Sequence, residues 1–252
     1  MLCTLFAVVG IMSAMPQEAD LILSAMQDKT TVRIGTRECT QGTLEGTPVI
    51  FSLAGVGKAA AASTATLLIA QFKADTIIFT GVAGGGGATR IGDLVIGTHY
   101  LQHDLDLRPI FPQFHIYSLN QQIIEADPQL VREMRAAAER FFAKGVSFPE
   151  LGIHNPRIHE GSIVSGDQFI ATQAQHQAIV ESTKKLLPHG FHAIEMEGAA
   201  VAQVCTELKV PFVVIRAISD KANDQATVDF PLFIEKVGSR YSYGIVREYF
   251  HG

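Results

Sequence analysis

Several strand-like runs of this chain are continuous Val/Ile/Leu stretches that do not alternate with polar residues. "TIIFTGV" at 76–82 and "PFVVIRAI" at 211–218 present almost no polar face to water. A strand of that kind must be covered on both sides, and helices laid on either face of a largely parallel sheet are the usual cover. The rest of the sequence supplies both components in alternation. Strands are expected over Leu5–Met12, Thr31–Thr40, Pro48–Leu53, Thr76–Val82, Asp93–Tyr100, Arg157–Ser165, His192–Ile194 and Phe212–Ile218. Helices are expected over Gln17–Gln27, Lys58–Phe72, Pro128–Phe142, Gln173–Leu187, Glu197–Leu208 and Phe230–Tyr249. Pro and Gly cluster at 108–113 and 145–156, which reads as two surface loops and not as a domain boundary. The expectation is one α/β domain over residues 1–252.

The chain is long enough to bury a large core, and 47% hydrophobic against 18% charged residues places it among globular proteins. Its net charge of −5 comes without any basic block. Nucleic acid and anionic membrane surfaces are therefore poor partners, and a small molecule is the better expectation. The apolar N-terminus lacks the basic start of a secretory signal, since the first Lys or Arg is Lys29, so it reads as a buried first strand. No apolar run reaches the roughly 18 residues of a membrane span. Cys3, Cys39 and Cys205 are odd in number, widely spaced and without a C-x-x-C pair. That pattern suits reduced thiols in a cytoplasmic protein.

In open α/β sheets, ligands bind beyond the carboxyl ends of the strands. Acidic residues recur at those ends: Glu18, Asp167, Glu195, Glu197 and Asp220. The stretch "FHAIEMEGAAVAQVC" at 191–205 sets Glu195 and Glu197 in surroundings made for burial. Burying an unpaired carboxylate costs several kcal/mol, so each must have a partner or a task. Glu18 by itself could simply complement a helix dipole.

Other patterns are weaker. Gly55-Val-Gly57-Lys-Ala-Ala60 matches a dinucleotide fingerprint, but Asp75 precedes the next strand when it should follow it, so no such cofactor is expected. The loop Gly81–Gly87 lacks the Gly-Lys-Ser/Thr ending of a phosphate loop. His154 with His159, and His189 with His192, lack a third ligand, so no metal is expected. Ser165 in "VSGD" lacks the G-x-S-x-G elbow of a serine hydrolase.

Taken together, "GIMSAMPQEAD", "AGVGKAAAA", "TGVAGG", "IVSGDQFI", "AIEMEGAAVAQVC" and "PFVVIRAISDKAND" resemble the nucleoside phosphorylase/nucleosidase superfamily, most closely its 5′-methylthioadenosine/S-adenosylhomocysteine nucleosidases. The resemblance runs in the family's order from about residue 5 to 250. It implies a mixed central β-sheet flanked by helices on both faces, a homodimer, and no cofactor. It also implies hydrolysis of the bond between adenine and a 5′-thio-substituted ribose, with water as nucleophile. Breaking that bond builds positive charge on the ribose and negative charge on the base. Carboxylates near the sugar and an acid near the purine are the residue types the reaction needs.

By the family's pattern, Glu18 activates the water and Asp220, oriented by Ser219, protonates N7 of the base. Glu197 accepts from the ribose hydroxyls, and Met196 packs against the sugar. Phe169 stacks on adenine, and the backbone of Ile170 reads its edge. Met15, Val56 and Phe230 line the sugar and 5′-thio pocket. Val82 stands where the family often has a Ser that helps place the water, which puts that role in doubt. The loop from His103 to Ser118 begins with the family's H-D-x-D, then diverges into Phe111, Phe114 and Tyr117. Either it helps close the partner's 5′ pocket, as the resemblance implies, or it is a solvent loop with scattered aromatics. Glu195 is expected to be structural, paired with Arg216 on the adjacent strand.

Three rival readings stand beside this one. A futalosine-type nucleosidase shares the scaffold. A phosphorylase would use phosphate, but "AMPQEAD" puts acids and no Arg or Lys where phosphate would bind. A non-catalytic binding protein would have no need to keep Glu18, Glu197 and Asp220 together.

Overall fold

A computed structural model describes residues 7–252, so Cys3 and the first two residues of the expected strand Leu5–Met12 lie outside the described residues. The chain runs β1 (Val9–Ser13), α1 (Pro16–Ala25), β2 (Gln27–Ile34), β3 (Arg37–Leu44), β4 (Thr47–Leu53), α2 (Lys58–Ala70), β5 (Thr76–Gly85) and β6 (Leu94–Gln102). There follow β7 (Ile124–Glu125), α3 (Pro128–Phe142), β8 (Ile158–Ser165), α4 (Gln173–Thr183), β9 (Ala193–Glu195), α5 (Gly198–Leu208), β10 (Phe212–Asp220), α6 (Ala226–Phe233) and α7 (Ser239–Phe250).

The strands form one mixed sheet in the order β10-β6-β8-β9-β5-β1-β4-β3-β2, with β7 on β6. Because β10 also pairs with β5, five of the strands close into a ring. Parallel pairs (β1–β4, β1–β5, β5–β10, β6–β8, β8–β9) meet antiparallel ones at β5–β9 and β6–β10. α1, α3 and α7 pack together, and α2 packs on α5. The sheet is thus covered as its apolar runs demand: all nine residues of β10 are buried. No helix among the described residues is long and apolar enough to cross a membrane.

Three elements depart from expectation, and two of the departures have a local cause. Thr31–Thr40 is not one strand but the hairpin of β2 and β3, turned at Gly35, whose φ of 62° suits glycine. Phe230–Tyr249 is not one regular helix: Pro231 lies inside α6, and a π-helical stretch, Ile234–Gly238, joins it to α7. Proline has no N–H to give the ladder, which loosens the helix there. The expected helix Gln173–Leu187 stops as α-helix at Thr183.

Ring closure fixes the register that matters for function. Asp220 lies opposite Gly84, Gly84 opposite Ile194, and Glu195 opposite Ser165. Strand ends far apart in sequence thereby meet at one mouth.

Candidate active site

That mouth is a cavity of about 520 Å³. Its walls bring together Met15, Glu18, Val56, Val82, Phe169, Ile170, Met196, Glu197, Ser219, Asp220 and Phe230, every residue that the sequence reading singles out for the site. Glu195 and Arg216 line it as well.

Glu18 sits in the first turn of α1 and is buried. Its Oε2 accepts the N–H groups of Ala14 and Met15, each at 2.8 Å, so the carboxylate satisfies the helix start from within. Its Oε1 accepts only the Val82 N–H, at 3.0 Å, which leaves an acceptor position at that oxygen. Val82 thus contributes its backbone where a Ser would offer a hydroxyl. Burial pushes the Glu18 carboxyl above the usual range, while the Arg216 charge pulls it down. A side chain on Gly81 would come within 2.8 Å of Oε1, so that position must stay bare.

Glu197 precedes α5 and is also buried. Its Oε1 accepts the Gly57 N–H at 2.8 Å, and Asp167 Oδ1 accepts the Lys58 N–H at 2.7 Å. The glycine loop that mimics a dinucleotide fingerprint therefore offers its N–H groups to the protein's own carboxylates. The start of α2, a natural anion site, is already filled. Burial first, and then the Glu195 charge, raise the Glu197 carboxyl.

Glu195 has an answer of a different kind. Arg216 donates to its Oε2 from Nη2 at 2.6 Å and from Nε at 3.2 Å. The Ser165 hydroxyl and the N–H groups of Glu197 and Gly198 complete its shell. It is a buried, paired helix cap, in keeping with the structural role expected of it. Arg216 also donates to the carbonyls of Phe79 and Ile215 and lies over the Phe79 ring at 4.2 Å. It is the one cation in the cavity wall, paired with Glu195, 3.9 Å from Glu197 and close enough for its charge to act on Glu18. The sequence reading assigns it only to Glu195. The signal for more is an arginine inside an otherwise apolar strand.

Asp220 ends β10. Its Oδ1 accepts the Ala222 N–H at 2.7 Å, and its Oδ2 lies 2.8 Å from the Ser219 hydroxyl. That hydroxyl is also 3.2 Å from the Ala83 carbonyl, and it has one proton to give. That proton can go to either acceptor, so the Ser219 hydroxyl holds the Asp220 carboxyl in place beside the Ala83 carbonyl. Burial raises the Asp220 carboxyl above the usual range, against the pull of the Ala222 N–H and the Ser219 hydroxyl.

The apolar part of the cavity is open. Phe169 and Phe230 meet edge to face at 5.7 Å, and Phe169 remains 44% exposed. In the 103–118 loop Phe114 is buried, whereas Ile110 is 81% and Tyr117 71% exposed. At the loop's root, Asp104 bonds Lys58 Nζ at 2.5 Å and the Asp167 N–H at 2.8 Å. Among the described residues no group of three His, Cys, Asp or Glu is placed to hold a metal ion.

The chain is similar to known proteins along nearly its whole length. The family model of the phosphorylase superfamily matches residues 8–251. A 5′-methylthioadenosine/S-adenosylhomocysteine nucleosidase of Shewanella oneidensis is 39% identical over 236 residues, 91% of either chain. The nucleosidase of that name from Neisseria meningitidis, solved in complex with methylthio-immucillin-A, superposes with a TM-score of 0.84 at 31% identity, covering 97% of this chain and 98% of that one. Futalosine hydrolase of Helicobacter pylori gives a TM-score of 0.80 at 29% identity, covering 96% and 97%.

Proposed function

Since the chain belongs to the phosphorylase superfamily, among its 5′-methylthioadenosine/S-adenosylhomocysteine nucleosidases, we infer that it hydrolyses the N-glycosidic bond of both nucleosides, releasing adenine and the 5′-thio-ribose. The observation that carries the reading is that three buried carboxylates, Glu18, Glu197 and Asp220, surround one cavity, each held by backbone donors and each with an acceptor position left over.

As the bond from C1′ to the base breaks, Asp220 gives its proton to N7 and the electron pair leaves with adenine. Ser219, which donates to Asp220 Oδ2 and lies beside the Ala83 carbonyl, orients the carboxyl. The sugar becomes oxocarbenium-like, and the acidic surroundings stabilise its charge. Water bonds to C1′ while Glu18 Oε1 takes its proton. Glu197 accepts from the ribose 2′- and 3′-hydroxyls through its freer oxygen, and Met196 lies against the sugar. Phe169 stacks on adenine, and the Ile170 backbone reads the base edge. Met15, Val56 and Phe230 enclose the 5′-thio group.

Water is favoured over phosphate for an electrostatic reason. The N–H groups at the start of α2 are taken by Glu197 and Asp167, and Arg216 is taken by Glu195 and two carbonyls. An incoming phosphate would meet acids and no free cation.

The same reading includes a cytoplasmic homodimer. Its support is the exposed Ile110 and Tyr117, and a helix α2 that bears no charged residue after Lys58.

The test is an incubation of purified protein with methylthioadenosine, with and without phosphate, read by mass spectrometry. Adenine and free methylthioribose at a rate indifferent to phosphate are expected; strict dependence on phosphate would overturn the assignment. Futalosine as a third substrate tests the second reading, which its hydrolase's similar fold supports. It is expected to turn over more slowly than methylthioadenosine.

A further inference from the structure

A second cavity, of about 440 Å³, lies beside the first. Ala14 lines both. Along the chain the boundary runs between adjacent residues. Met15 and Val56 face the first cavity, while their neighbours Pro16 and Gly55 face the second. These are the residues placed around the 5′-thio group above. A group that extends from the 5′ sulfur past Met15 and Val56 is thus directed towards this second space.

The far wall of that space comes from the β2–β3 hairpin and includes Thr36, Arg37, Glu38 and Thr40. Arg37 is not a loose surface side chain. Its Nε donates to the Thr64 hydroxyl, and its Nη2 donates to the Ala60 carbonyl at 2.9 Å and the Ser63 hydroxyl at 2.6 Å. Three bonds to α2 fix the plane of the guanidinium, while Nη1 has no hydrogen-bond partner among the described residues. No carboxylate pairs with Arg37 there, so its charge is unneutralised. A pre-set guanidinium with a spare donor edge is suited to a carboxylate. Thr36 and Glu38 beside it offer acceptors for an ammonium group.

S-adenosylhomocysteine has such an end. Two methylenes beyond its sulfur stand an α-ammonium and an α-carboxylate; methylthioadenosine stops at a methyl. We propose that the second cavity is the subsite for the amino-acid end of S-adenosylhomocysteine, with Arg37 binding its carboxylate. The proposal rests on the nucleosidase reading. It makes Arg37 a specificity residue, remote from the bond that breaks.

The experiment compares kcat/KM for S-adenosylhomocysteine and methylthioadenosine in the wild-type protein and in Arg37→Met, whose fold is checked by circular dichroism. Losing a charge-assisted bond to one substrate only should lower the ratio of the two values about tenfold, chiefly through KM for the longer substrate. Arg37→Lys should restore part of it. The decarboxylated analogue, 5′-(3-aminopropyl)thioadenosine, should not distinguish Arg37→Met from wild type beyond any change seen with methylthioadenosine. An unchanged ratio, whether both activities fall together or neither moves, overturns the proposal. So does an equal penalty on the decarboxylated analogue. Wild-type protein inactive on methylthioadenosine would instead sink the nucleosidase reading.

Discussion

Glu18, Glu197 and Asp220 are buried, and in each the ionised form is the one that burial disfavours. Two of them must act in opposite protonation states, Glu18 as a base and Asp220 as an acid. Both carboxyls are raised, so both limbs of the pH profile of kcat/KM should lie above the ordinary carboxylate range. Glu18→Gln should remove the acidic limb, and Asp220→Asn the alkaline limb. Each should lower turnover by about 10²–10⁴ while the protein stays folded; near-wild-type turnover would remove that residue's role. Glu197 leaves a signature in stability. Its folded pKa lies above its unfolded value, so the folded state binds more protons between the two. Its contribution is fully present below the unfolded pKa and is lost as pH rises through the folded one. Glu197→Gln keeps an acceptor for the Gly57 N–H but has no charge to bury. Its melting temperature should exceed wild type at mildly alkaline pH, and the gain should vanish near pH 4. A gain that is independent of pH would point to packing instead.

The strand–turn–helix formed by β9 and α5 is held at its corner by Glu195, which pairs Arg216 and caps the helix at once. Glu195→Ala strands a buried guanidinium and should cost about 3–5 kcal/mol in urea unfolding, whereas Glu195→Gln, which keeps the backbone bonds, should cost less. Equal, small costs for both would show that Arg216 finds other partners. Much of this corner was legible in the sequence, because two acids in an apolar stretch demand an explanation and a nearby arginine supplies one. The continuous apolar runs likewise disclosed the buried strands and hence the two-sided cover. What stayed hidden lacked a local signal. The β2–β3 hairpin turns on Gly35 within a polar edge segment that has no core face to keep time. The bonds joining Lys58, Asp104 and Asp167 span 46, 63 and 109 residues of sequence. The pairing of β6 with β8 brings Asp104 to Asp167, the start of α2 brings Lys58 to both, and no periodicity reports either.

At the scale of the whole molecule, the cavity is well built at its polar end and unfinished at its apolar end. Val56 is 55% exposed and Phe169 44%, so a 5′-thio group seated there would keep much of its surface in water. Covering apolar area contributes about 25 cal/mol per Å², which makes an open 5′ end expensive in affinity. The 103–118 loop points Ile110 and Tyr117 outward, and α2 has small uncharged residues on its exposed side. One contact between two copies would use both features: α2 against α2, and each loop over the other's 5′ end. Light scattering should then find a particle of twice 27.3 kDa. Ile110→Asp with Tyr117→Ser changes neither the acids nor the base pocket. Its effect should fall on KM for methylthioadenosine, several-fold or more, with a smaller change in kcat. The same rise in KM should appear in wild-type protein diluted below the dimer's dissociation constant, because there too the loop is withdrawn. A monomer with an undiminished KM would mean that the chain covers its own 5′ end, and the exposed loop would then need another explanation.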